Sequence, residues 1–249
     1  MADISGPLGT TPELDRLLRR AWNDNTVVGV YLFGSAAREG MATRHSDVDV
    51  CVVLAERSDE WATRRSPAID VVVRTLDDLR DVPADPVDWW DRYACSTVRI
   101  LLDRTDGALA AALHVQATLT HAEVGRALTT YLDGYVNFAY RSLKSHRDGR
   151  AFEAKLDAIE SIAWALPVVF ALHHRLRPYN KYLRWELARR PLTDGWIDGA
   201  MLLDLVGRIA ADGDAAAQRE LFARIGRPAR AAGFGPTIDA WGHELTLFR

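Results

Sequence analysis

Residues 32–54 read LFGSAAREGMATRHSDVDVCVVL, and this stretch decides the fold. Residues 27–33 before and into it are β-branched and aromatic, the composition of a strand. Gly34 and Ser35 punctuate that strand, and a short helix through Ala36 and Ala37 is expected after them. Val48–Leu54 reads as a second strand, entered through Ser46-Asp47-Val48-Asp49. Side chains at i and i+2 of a strand share a face, and their Cα atoms lie ~6.6 Å apart. Asp47 and Asp49 can therefore bracket one small cation. Asp70 stands near the start of a third strand, expected over residues 68–73. If that strand lies beside the second, three carboxylates meet, an oxygen-rich set of the kind that suits magnesium. Three carboxylates can hold two cations about 4 Å apart, a clamp suited to in-line displacement at phosphorus. An Asp-x-Asp at a strand edge alone is often a solvated turn. Here both Asp49 and Asp70 adjoin apolar runs, where uncompensated carboxylates would repel one another and a cation relieves the repulsion.

The glycine at the strand end permits close backbone approach. The N–H groups after it can face a phosphate, and the Ser35 hydroxyl can donate to a phosphate oxygen. Arg38, three residues on, is placed to neutralise charge on a triphosphate.

The bulk numbers fit a soluble globular chain of one large or two small domains. The chain has 249 residues, 48% hydrophobic and 26% charged, so a sizeable core is affordable. The formal net charge of -3 argues against extended nucleic-acid binding, which needs many phosphates neutralised. Two cysteines, Cys51 and Cys95, read as free thiols of a reducing compartment. No apolar run reaches signal-peptide or membrane-span length, so a cytoplasmic location with no membrane partner is expected.

Along the chain, residues 1–11 read as a loose start. Thr11-Pro12-Glu13 reads as a helix N-cap with proline at the first helical position, and that helix runs to about Trp22. Residues 98–102 read as one more short strand, after an irregular, proline-interrupted segment that begins at Asp77 and holds Trp89 and Trp90. From Ala108 the pattern turns helical. Val124, Leu128, Leu132 and Tyr135 recur at helical spacing, as do Phe152, Leu156, Ile159 and Ala163. Pro167 is expected to kink or end the second of these helices. Further helices are expected over 180–190, 195–211 and 213–225. The fold class is thus α+β: a small mixed sheet with helices, then an all-helical domain. Residues 1–105 form the catalytic domain on this reading, and residues 106–249 complete the nucleotide and acceptor site.

The segment 32–54 closely resembles the signature of the DNA polymerase beta-like nucleotidyltransferase superfamily: Gly-Ser, a short helix, Asp-x-Asp on the next strand, a third carboxylate on a later one. The Ala37-Arg38-Glu39-Gly40 piece and Ser46 look like the compact antibiotic (aminoglycoside and lincosamide) and minimal nucleotidyltransferase branches, although Glu39 intervenes before the glycine. The resemblance implies Mg2+, two ions, and ATP or another NTP as co-substrate. It implies that Asp47 and Asp49 bind both metals. Asp70 would bind the catalytic one and help activate the acceptor oxygen. Gly34 and Ser35 would hold the β and γ phosphates, and pyrophosphate would leave. The expected activity is transfer of AMP to a hydroxyl of a small molecule, antibiotics being one class of acceptor.

The helical half offers further candidates. Glu153, Asp157 and Glu160 share one helix face, and Glu160 is preferred among them as the group that receives the acceptor's proton. Arg141 and Lys144 are placed to meet phosphates, as is Lys181 in the aromatic and basic run 177–186. Tyr179, Tyr182 or Trp185 of that run can stack on a base or on the acceptor. A homodimer is one arrangement that would complete the acceptor site. Competing readings are nucleotidylation of a protein or RNA end in a toxin-antitoxin-like system and an inactive nucleotide-binding regulator. A third is an RNase, suggested by the Arg141-Ser-Leu-Lys-Ser-His146 spacing.

Overall fold

The protein is described by a computed structural model covering residues 11–249. The loose start expected before Thr11 lies outside the described residues. Helix α1 (Pro12–Asn23) begins as its sequence dictates. The Leu14 N–H donates to the Thr11 hydroxyl at 3.2 Å, and Pro12 occupies the first turn. Its buried face is Leu14, Leu17, Leu18 and Ala21.

Four strands follow: β1 (Val27–Leu32), β2 (Val48–Leu54), β3 (Ile69–Thr75) and β4 (Arg99–Asp103). They form one sheet in the order β3-β2-β1-β4. β1 is antiparallel to β2 and β4, and β2 is parallel to β3, so the sheet is mixed. Strand parity divides the core in two. Val48, Val50, Val52 and Leu54 of β2 join Ile69, Val71 and the α1 leucines in one buried cluster. Cys51 and Val53 join Tyr31, Leu79, Cys95, Leu109 and Leu113 in another. The first cluster belongs to the α1 side of the sheet. The second belongs to the side covered by α2 (Leu76–Arg80) and α3 (Ala108–Ala117). Both cysteines are free and buried. Burial pushes the Cys51 thiol up to about 12 and the Cys95 thiol up to about 11.

The segment after Asp77 is not irregular from its start. α2 forms there because Thr75 and Asp78 make a capping box, each side chain bonding the other's backbone N–H. That pairing satisfies orphan donors that a five-residue helix could not satisfy alone. Trp89 and Trp90 end a short 3-10 turn over Pro86–Trp90, and a second such turn spans Arg92–Ser96.

A mixed α/β region over about residues 12–103 is thus followed by helices to the end of the chain. By packing, the chain divides between residues 118 and 119, with 85–87 joining the second unit. The sequence places the domain boundary after residue 105, but α3 packs with the first unit because Leu109, Ala112 and Leu113 pack with Tyr31, Cys51 and Val53 of the sheet.

The second unit is built on α4 (His121–Arg147) and α5 (Ala151–Leu172). Thr120 and Glu123 cap α4 reciprocally. Gly149, at φ 73°, allows the turn between the two helices. α5 runs through Pro167 to Leu172 without ending there. Its neighbours Leu166, Val168, Val169 and Phe170 are buried, and their burial offsets the one backbone bond that proline removes.

The large periodic residues of α5 face outward. Phe152 is 72% exposed, Leu156 53% and Ile159 44%, whereas Ala154, Ala158, Ser161 and Ala165 are buried. Small residues let α4 and α5 approach closely: the Ser142 hydroxyl donates to the Ala154 carbonyl at 2.7 Å. Gly134 serves the same end, since a Cβ there would lie 2.3 Å from Cε3 of Trp164. The rest comprises α6 (Leu183–Arg189), α7 (Gly199–Asp212), α8 (Ala215–Ala229) and α9 (Gly235–Asp239). α6 follows a 3-10 turn, Asn180–Tyr182. Residues 195–198 are not helical, because Asp198 caps α7 by accepting from the Met201 N–H. Among the described residues no helix is long and apolar enough to cross a membrane.

Candidate active site

Asp49 and Asp70 are directly paired across the parallel β2/β3 ladder. Parity aims Asp49 to the same side as Cys51 and Val53, and Asp70 to the same side as Val72, all on the α3 side of the sheet. Asp47 precedes β2 by one residue. The three carboxylates each offer an oxygen, and these atoms lie within 4.8 Å of one another. All three residues are half-buried. Among the described residues this is the one such group of three metal-capable side chains. The turn that delivers Asp47 is braced by Ser46, whose hydroxyl accepts from the Thr43 N–H at 3.0 Å while its own N–H donates to the Thr43 carbonyl at 3.0 Å.

The Gly34 loop meets this group because β1 is antiparallel to β2. Leu32 pairs with Val50, and the Phe33 N–H donates to the Asp49 carbonyl at 3.1 Å. The chain then turns at Gly34 with φ 61°, in the left-handed region. A Cβ on Gly34 would lie 1.8 Å from Oδ2 of Asp49, so the backbone has closed onto the carboxylate as only glycine permits. Gly34–Ala37 form the expected short helix, of 3-10 type. Ser35 is buried, at 6% exposure. Among the described residues its hydroxyl has no hydrogen-bond partner.

Arg38 is engaged elsewhere than its spacing suggests. It is 2% exposed. Nη1 donates to the Gly34 carbonyl at 2.8 Å, and Nη2 donates to the Tyr93 carbonyl at 3.4 Å and the Ser96 hydroxyl at 3.3 Å. Its guanidinium lies 4.9 Å from the centroid of the Tyr93 ring.

Sequence reasoning did not find the groups around Asp70. The Ser66 N–H donates to Oδ1 at 3.3 Å, and Nε of the exposed Arg65 lies 3.6 Å from Oδ2. Nor did it find Tyr93 and Ser96, which are more than fifty residues from Arg38 in the chain. No local signal in either segment marks them.

The remaining candidates belong to the second unit. Glu160 and Glu153 are exposed on α5, whereas Asp157 is paired with Arg141 at 3.3 Å. The Arg141 guanidinium also lies 5.4 Å from the Phe138 ring centroid. Lys144 lies over Tyr140 at 5.9 Å and Lys181 over Tyr182 at 4.8 Å. Tyr182 itself is 1% exposed, so its ring packs in the core. His173 is a packed core group. Its ring stacks on Trp196 at 4.7 Å, and Nδ1 lies 2.8 Å from Asp194.

Three hard oxygen donors converging at this distance fit a divalent cation such as magnesium, which takes one or two carboxylates and keeps the rest of its shell for water and phosphate. The family profile described as "Nucleotidyltransferase domain" matches residues 13–95. The first unit therefore carries a nucleotidyltransferase domain of the DNA polymerase beta-like kind. Comparison with curated proteins found no match.

Proposed function

We propose, with that domain as the premise, that the protein transfers a nucleoside monophosphate, AMP from ATP, to a hydroxyl of a small molecule and releases pyrophosphate. The observation that carries this reading is the convergence of Asp47, Asp49 and Asp70 beside a glycine closed onto Asp49. Magnesium bound by the three carboxylates would supply Lewis-acid polarisation of the phosphate and charge neutralisation. The chain's own groups do the rest. Ser35 is buried beside the triad with an unengaged hydroxyl that can donate to a terminal phosphate oxygen. Gly34 allows the backbone within reach of the polyphosphate. Asp70 is suited to draw the proton from the acceptor hydroxyl, or Glu160 receives it. Preorganised donors aimed at charge on the transferring phosphoryl group are the main source of rate. Lys144 and Lys181, which lie over the Tyr140 and Tyr182 rings, are assigned to the phosphates.

The test is calorimetric titration of each of the four NTPs with magnesium into the wild type and Asp49→Ala. We expect magnesium-dependent ATP binding in the wild type and its loss in the variant. Absence of binding by any NTP in the wild type would overturn the proposal. Binding opens a screen of acceptors, beginning with aminoglycosides and lincosamides and then small RNAs; product mass identifies the nucleotide transferred.

A further inference from the structure

Arg38 is the most deeply buried cation of the first unit's active-site loop, and its hydrogen bonds run to the Gly34 and Tyr93 carbonyls and the Ser96 hydroxyl rather than into open space. One of them has a directional consequence. Nη1 holds the Gly34 carbonyl at 2.8 Å. A trans peptide is planar, with its C=O and the following N–H pointing in opposite directions. Fixing the Gly34 carbonyl on the Arg38 side therefore aims the Ser35 N–H to the other side. Gly34 has wide backbone freedom at φ 61° and cannot hold that peptide by itself. The second prong of the guanidinium is anchored 55 and 58 residues away, at the Tyr93 carbonyl and the Ser96 hydroxyl.

We propose that Arg38 is a positioning residue. Through the Gly34–Ser35 peptide it directs the Ser35 N–H at the polyphosphate. The inference rests on the nucleotidyltransferase reading of the site and adds how its phosphate cradle is held. The ligand class it concerns is a magnesium-bound polyphosphate, independent of base. An arginine is needed because a planar fork can span two anchors. A compact ammonium keeps the charge but cannot serve the Gly34 carbonyl on one side and the Tyr93 and Ser96 oxygens on the other.

The experiment uses inorganic tripolyphosphate with saturating magnesium as the probe, on the full chain. Affinity is read by calorimetry, and the Ser35 amide is read by proton–nitrogen correlation spectra. In the wild type the Ser35 amide should shift downfield on addition of tripolyphosphate. In Arg38→Lys and Arg38→Met it should already be displaced without ligand and should not respond, and affinity should fall about tenfold or more in both, the loss expected when a hydrogen bond to a charged group is removed. Full recovery of affinity in Arg38→Lys would mean that charge alone matters and would overturn the proposal. So would a wild-type Ser35 response in either folded variant. Should the Arg38 variants not fold, Ser96→Ala keeps the cation and loosens one anchor. It should displace the Ser35 amide and weaken tripolyphosphate binding, and an unchanged amide would overturn the proposal. Failure of the wild type to bind tripolyphosphate is a different outcome: it removes the nucleotidyltransferase reading, and the positioning role with it.

Discussion

Gly34→Ala tests the closeness of backbone and carboxylate at the site. Two costs arise from it. Gly34 sits at φ 61°, where an L residue costs roughly 1–2 kcal/mol. The new methyl would also stand 1.8 Å from Oδ2 and 2.7 Å from Cγ of Asp49, far inside the ~3.5–4 Å at which non-bonded carbon atoms attract. The backbone before Gly34 and that of Asp49 are held by the β1–β2 ladder, which continues through the Phe33 N–H to the Asp49 carbonyl. The Asp49 side chain must therefore swing away. Magnesium requires near-ideal octahedral ligands at about 2.0–2.1 Å, so a carboxylate displaced by this clash leaves the coordination shell. We expect the substitution to cost roughly 1–2 kcal/mol of stability through the backbone. Metal affinity should fall by about 10- to 100-fold, the loss typical when support for a ligand is removed. Urea unfolding without metal reads the first quantity, and manganese titration followed by electron paramagnetic resonance reads the second. The double variant Gly34→Ala/Asp49→Ala separates the two causes, because without the carboxylate only the backbone term remains. Wild-type manganese affinity in folded Gly34→Ala would refute the reasoning, since it would mean that Asp49 is not pinned against Gly34.

Two further predictions concern the second unit. Gly134→Ala drives a methyl to 2.3 Å from Cε3 of Trp164. Overpacking of this kind costs about 1–3 kcal/mol, so the urea midpoint should fall; an unchanged midpoint would show that Trp164 yields freely. Burial holds the His173 imidazole below its ordinary range, although Asp194 opposes the shift. A folded-state pKa below the unfolded value of about 6.5 means that the unfolded chain binds the proton first. The stability His173 contributes is present above that unfolded value and is lost as pH falls through the folded one. Wild type should therefore unfold at lower urea at pH 5.5 than at pH 7.5, and His173→Phe, which keeps an aromatic ring on Trp196, should lose part of that difference. Equal pH dependence in the two proteins would remove His173 as its source.

Much of the first unit was legible in the chain itself. Thr11-Pro12 starts α1, Gly34-Ser35 follows a strand, and Asp47 and Asp49 carry the parity of β2, because caps, turns and strand alternation depend on residues only a few positions apart. The change from strands to helices was likewise legible. Other features depended on groups distant in sequence. That Asp70 joins Asp47 and Asp49 follows from the parallel pairing of β2 with β3, which no local pattern encodes. Arg38 has the spacing of a phosphate ligand, and only Tyr93 and Ser96 reveal where its guanidinium is held. In α5 the helical period marks a helix, but its large apolar residues face outward while Ala154, Ala158 and Ala165 are buried. Periodicity reports that a helix has faces. Which face is buried depends on the shape of its neighbours, and close packing against α4 favoured the small side chains.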